Sequence, residues 1–299
     1  MKEWILAILR GAVIGLANVI PGVSGGTMMV SMGIYDTLLY CINHLFKQFK
    51  KCVMTLLPYA IGLVVAILVG AKVLKGAFES EIFKLPTNTL FIGLILGSLP
   101  FILKEMKGLK ANKIIAGIVF LAFFALVVGL RLIQKENILE NFTLNVWEIL
   151  KLFLLGAMAS AAMVVPGVSG SMLLKTFGYY DVVVTQGVSG LMEGVAAGNW
   201  SLVLEKVGIL IPFAVGIVVG IFAIAKLIEM LFKKWKFYTY CGILGMVAAS
   251  PVVILMDGGL YTNMAWYVIV LSVVFLAAGV WVAVLFGEKP PVEMDDKKN

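Results

Sequence analysis

Charge is scarce in this sequence. Asp, Glu, Lys and Arg make up 14% of its 299 residues, against roughly 25% in ordinary soluble domains. A soluble fold of usual composition is therefore excluded. Histidine occurs once, as His44, and one imidazole cannot build a zinc or haem site. The cysteines Cys41, Cys52 and Cys241 have no metal-ligand spacing and form no disulfide framework. No metal or cofactor is expected. The opening stretch has a positive head, but Arg10 interrupts its apolar run and no small-residue cleavage signal follows, so it is expected to stay attached.

What is present in quantity is apolar sequence. Hydrophobic residues make up 61% of the chain and the mean hydropathy is +1.03, which reads as an all-α polytopic integral membrane protein. The net charge of +7 fits positive-inside topology and anionic headgroups, and no nucleic-acid partner is expected. The reading is a single membrane domain over 1–286, made of repeat 1 (1–131) and repeat 2 (146–286), with a polar cytoplasmic tail at 287–299.

The repeat shows in one unusual phrase written twice. Asn18 to Met28 reads NVIPGVSGGTM, and Met163 to Leu173 reads MVVPGVSGSML. The offset of 145 that aligns them also pairs Gly11 with Gly156, Gly33 with Gly178, Tyr35 with Tyr180 and Asp36 with Asp181. Farther on, LPYAIG at Leu57 answers IPFAVG at Ile211. Each half divides into five apolar segments: 4–20, 27–46, 55–78, 86–103 and 111–131, then 147–165, 171–190, 207–232, 237–256 and 262–286.

The first segment of each half is at the short limit for a span, which leaves two geometries open: a full crossing, or a re-entrant hairpin with the next segment. Either gives an odd number of crossings per half, so the repeats are expected to be inverted. Loop charges agree. Lys47, Lys50 and Lys51, then Lys104 to Lys113, then Lys233 to Lys236 fall in loops expected inside, with both termini cytoplasmic. The loop from Lys72 to Lys84 departs from this pattern, with three lysines on the expected outer side.

Proline and glycine break a helix at a depth where freed backbone groups are tolerated only beside protein or a wet cavity. A break there implies a site. Glycines admit close approach of a ligand, and amides at a helix start suit an anion such as phosphate. The residues expected to bind substrate are Arg10, Asn18, Gly22, Ser24, Gly25, Gly26 and Thr27 from the first half, with Gly167, Ser169, Gly170, Ser171 and Lys175 from the second. Arg10 and Lys175 each place a cation near one break, while their repeat equivalents, Leu155 and Val30, are apolar. That asymmetry suits one anion held by both halves. Asp36 and Asp181 are candidates for a coupling proton or cation. The competing structural reading has the glycines serving helix packing and the serines capping their own helices.

GVSGG at Gly22 also fits G-x-S-x-G, but a serine nucleophile needs a base, and the elbow that presents it needs a preceding strand. His44 is the sole histidine and no strand is expected, so an intramembrane serine hydrolase is the least favoured alternative. A small-anion or ion channel is another.

At RGAVIGLANVIPGVSGGTMMVSMGIYD and VVPGVSGSMLLKTFGYYD the chain resembles the PopT-type polyprenyl-phosphate translocases, over nearly its full length. The resemblance implies recycling of undecaprenyl phosphate from the outer to the inner leaflet of the bacterial cytoplasmic membrane, with polyprenyl-phosphate lipid as the partner within the bilayer. That family often has glutamate where Asp36 and Asp181 stand; the shorter acid keeps the charge and changes its reach.

Overall fold

A bilayer core offers the backbone no hydrogen-bond partner, so apolar segments of this length must satisfy their own amides. The chain folds as helices accordingly. The computed structural model describes residues 2–19, 24–133 and 142–287, and among these there is no strand. The expected residues Pro21 and Gly22 lie outside the described residues, as does 288–299 of the tail.

In the first half, α1 (Lys2–Val19) leads to two short helices, α2 (Gly25–Ser31) and α3 (Tyr35–Asn43). Then follow α4 (Phe49–Glu79), α5 (Lys84–Met106) and α6 (Lys113–Leu132). The second half repeats the order: α7 (Val146–Val164), α8 (Gly170–Thr176), a π-helix over Asp181–Ser189, and α9 (Gly190–Ala196). It continues with α10 (Trp200–Leu255) and α11 (Trp266–Gly287). Among the described residues six helices, α4, α5, α6, α7, α10 and α11, are long and apolar enough to cross a membrane. The protein is a multi-pass membrane protein.

Two sequence expectations are corrected. The segments 27–46 and 171–190 are not continuous, because each breaks again at a glycine with positive φ, Gly33 at 65° and Gly178 at 80°. Neither α2 nor α3, at 7 and 9 residues, can span alone. The loop expected between 232 and 237 is a single non-helical residue, Trp235 (φ −138°, ψ 50°), joining two arms of α10.

The chain forms two compact units. One comprises Met1–Val128, Val165–Val168 and Ile228–Asn299; the other comprises Gly129–Val164 and Ser169–Leu227. In the first, α1 packs along α4, and a Cβ on Gly11 would strike the Tyr59 carbonyl while one on Gly62 would strike that of Ile8. Close backbone contact through small residues is the usual way membrane helices gain van der Waals attraction. In the second unit Gly156 meets the Phe213 carbonyl and Gly216 that of Phe153. These are the repeat equivalents of the first pair of contacts, so the duplication extends to packing.

The first unit also holds α5 against α11, with Gly93 on Leu276 and Gly279 on Leu90. There too the second arm of α10 lies on α6 through Gly245 and the Phe120 carbonyl. The fourth segment of each half thus packs on the fifth of the other. In the second unit, Leu152, Leu155 and Ala159 of α7 form a core with Leu174, Tyr179, Val182 and Ile209. The π-helix there replaces what is α3 in the first half. Its β-branched run Val182 to Thr185 lowers α propensity, and Ser189 Oγ bonds the carbonyl five residues back, at Val184.

Candidate functional site

The two copies of the phrase begin their short helices identically. Ser24 and Ser169 both have φ −103° and ψ 133°, the extended conformation of a capping residue. Yet neither side chain caps its helix. The first backbone amides bonded within these helices are Met28 N to the Ser24 carbonyl and Leu173 N to the Ser169 carbonyl, both at 3.2 Å. The amides of Gly25, Gly26 and Thr27, and of Gly170, Ser171 and Met172, precede them. Self-capping is therefore not what these serines do.

Their hydroxyls are used elsewhere. Within the first unit Ser24 Oγ donates to the Val165 carbonyl at 3.4 Å, and Gly167 N donates to Thr27 Oγ1 at 2.8 Å. Thr27 Oγ1 lies 3.5 Å from Ser250 Oγ, which donates its own proton to the Met246 carbonyl at 3.2 Å. Thr27 accepts from Gly167, so its proton is free for Ser250. Gly167 has φ 82°, and a Cβ there would lie 2.7 Å from the Met246 carbonyl oxygen; no other residue fits both demands. The first phrase thus grips the second copy's Val165–Val168 and the second arm of α10. Sequence reasoning missed Ser250, since a contact across 223 positions leaves no local pattern.

Thr27 is 0% exposed. Thr27→Val keeps its shape but leaves the Gly167 amide without its acceptor, a loss of about 1–3 kcal/mol. We expect a lower thermal midpoint of helix loss in detergent for Thr27→Val and a smaller change for Ser24→Ala. Equal midpoints for Thr27→Val and wild type would mean that Gly167 finds another acceptor.

Asn18, near the end of α1, lies against Gly25: a Cβ on that glycine would sit 2.7 Å from Asn18 Oδ1. In the second unit the corresponding Gly170 faces backbone, and a Cβ there would stand 2.8 Å from the Ala159 oxygen and 3.0 Å from Met163 Cγ. Neither glycine has positive φ. Neighbours, not φ, exclude a side chain at both. Ser169 Oγ and Ser171 Oγ hydrogen-bond to each other at 2.8 Å.

Arg10 is 2% exposed, so it does not snorkel. It sits on the face of α1 that packs on α4, where Tyr59 is within reach of its charge and hydrogen bonding. Asn18 follows by eight residues, about 12 Å along the helix axis. Lys175 lies in the last turn of α8, where a cation suits the carbonyl end. Its Nζ stands 5.3 Å from the Tyr180 ring centroid.

Asp36 opens the first turn of α3 and accepts from the Tyr240 hydroxyl at 3.4 Å. Asp181 accepts from Gln186 Nε2 at 3.1 Å instead. Glu105 and Lys236, whose charges act on Asp36, and Tyr240, which donates to it, were not singled out as site residues in the sequence. His44 bonds through Nδ1 to the Tyr40 carbonyl at 3.0 Å and stacks on that ring at 4.1 Å. Ser24 bonds to a carbonyl, so these side chains do not form a serine–histidine pair.

Comparison with known proteins bears on the same residues. The model of the undecaprenyl phosphate translocase-like family matches residues 14–265. A polyprenyl-phosphate transporter of Staphylococcus aureus is 30% identical over 295 residues, covering 95% of this chain and 96% of the relative. One of Vibrio cholerae, of the same name, is 26% identical over 263 residues, covering 83% and 76%. No solved structure matches significantly. With both phrases and most of the intervening helices inside the matched span, the chain belongs to the undecaprenyl phosphate translocase-like family.

Proposed function

We propose that this protein translocates undecaprenyl phosphate, or a close polyprenyl phosphate, from the outer to the inner leaflet of the bacterial cytoplasmic membrane. The phosphate is held at the Pro-Gly breaks, with Arg10 as the principal cation, and the isoprenoid tail stays in the bilayer. One observation carries this reading. The short helices of both phrases start with buried glycines and uncapped first turns, because Ser24 and Ser169 spend their hydroxyls elsewhere. Amides so placed suit an anionic oxygen. Family membership and the names of the relatives support the choice of lipid.

The test is binding to the purified protein of polyprenyl phosphate against polyprenyl alcohol of equal chain length. The phosphate should bind at least tenfold more tightly. Equal affinities would reduce the site to a hydrophobic groove and refute the anion reading.

Inverted repeats with both termini cytoplasmic belong to the same proposal. The reciprocal packing of fourth and fifth segments supports them. A cysteine introduced at Asp257, which caps an exposed turn through Gly259 N at 3.1 Å, should react with an impermeant maleimide in intact cells. One at Lys50 should react only after permeabilisation. The native cysteines are buried and give little background. The reverse pattern would overturn the orientation.

A further inference from the structure

Asp36 stands beside two cavities of the first unit, and both are lined by it and by Tyr240. The larger, about 440 Å³, is also lined by Tyr35, Lys104 and Glu105. The smaller, about 330 Å³, is lined by His44, Glu229, Lys233 and Lys236. Asp36 itself is exposed into this space. Tyr35, by contrast, is 5% exposed, and its hydroxyl has no hydrogen-bond partner among the described residues. A buried phenol without a partner is costly, which points to an occupant of the cavity that exchanges protons or hydrogen bonds with it.

We propose that Asp36 is a proton-binding carboxyl, with Glu105, Tyr35 and Tyr240 lining its site, and that loading this proton accompanies transport. The Glu105 carboxylate lines the same cavity, and a like charge there favours the neutral form of Asp36. A metal ion fits poorly. No group of three or more His, Cys, Asp or Glu is gathered among the described residues, and Lys104 and Lys236 would repel a cation. A proton needs only one carboxylate oxygen.

The groups that line these cavities with Asp36 are Tyr35 and Tyr40 from its own helix, His44 just past its end, Lys104 and Glu105 from α5, and Glu229, Lys233, Lys236 and Tyr240 from α10. Lys233 and Glu229 pair at 2.5 Å and largely cancel. Glu105 and Lys236 are therefore the neighbours whose removal should act on Asp36 with opposite sign. The site lies just beyond the Gly33 turn from α2. A change of charge at the start of α3 thus reaches the phrase through one short helix. This coupling rests on the transport reading above; the proton site itself does not.

The experiment is an infrared pH titration of the protonated-carboxyl band, on purified protein in nanodiscs without added polyprenyl lipid. Wild type should show a titrating carboxyl that Asp36→Asn removes. Glu105→Gln should move the midpoint to lower pH, and Lys236→Met to higher pH, by about one unit each. Damage to the fold does not give shifts of opposite sign. A band that survives Asp36→Asn, or neighbour variants that leave the midpoint fixed or move it the same way, would overturn the site. In transport of polyprenyl phosphate into vesicles, Asp36→Asn should lose at least tenfold in rate and flatten the pH profile. An unchanged profile there would overturn the coupling. A wild type that carries no polyprenyl phosphate would sink the transport reading and leave the infrared result standing.

Discussion

Gly170→Ala should destabilise the protein more than Gly25→Ala, although the two glycines occupy the same position of the repeat. At Gly170 the new methyl would lie 2.8 Å from the backbone oxygen of Ala159 and 3.0 Å from Met163. Backbone of α7 cannot step aside, so α8 must move, at a cost of about 1–3 kcal/mol for an overpacked site. At Gly25 the obstacle is the end of the Asn18 side chain, at 2.7 Å, which can rotate away. Gly25→Ala should therefore fold nearly as well as wild type yet displace Asn18 from the start of α2, and lose polyprenyl-phosphate affinity by about tenfold or more. Valine at either position should abolish binding. The measurement is thermal stability and affinity on the same preparations. Gly25→Val and Gly170→Val with normal expression and normal binding would show that no ligand approaches the phrase.

All ten apolar segments legible in the sequence exist as helical stretches, and the offset of 145 between Gly25 and Gly170 is also the offset between the helices they begin. Helical periodicity and breaking residues are local signals, and local signals survive in sequence. The second break in each half was visible only as a matched pair, Gly33 and Gly178. Its meaning required φ, since a lone glycine in an apolar run reads equally well as a packing contact. The hydrogen-bond partners of Ser24 and Thr27 were not legible for a different reason. A serine in capping position ordinarily bonds its own helix, and only the fold reveals that Val165 and Gly167 compete for those hydroxyls across 141 and 140 positions. The same holds for Asp36 and Tyr240, separated by 204.

Arg10→Gln should cost polyprenyl-phosphate affinity about 2 kcal/mol or more, roughly thirty-fold, because it removes the positive side of a desolvated ion pair. A charge at 2% exposure in an apolar helix is expensive, and it is unsuited to a helix that could have packed with leucine, as Leu155 does at the equivalent position. The anionic headgroup of the proposed substrate would give that charge a partner of opposite sign. Tyr59 on α4 offers the guanidinium a polar contact within the protein. Arg10→Lys should keep part of the affinity, since it retains the charge and loses the planar fork. Lys175→Gln should cost less than Arg10→Gln. Lys175 is only partly buried, and its ammonium already has the Tyr180 ring at 5.3 Å, a contact of about 0.5–2 kcal/mol. Tyr59→Phe is the discriminating control. If Arg10 serves the ligand, losing the phenol oxygen should change affinity less than Arg10→Gln does. If Tyr59→Phe and Arg10→Gln lose equally, and both lower thermal stability, Arg10 acts by holding α1 against α4, and the positive partner of the phosphate lies elsewhere.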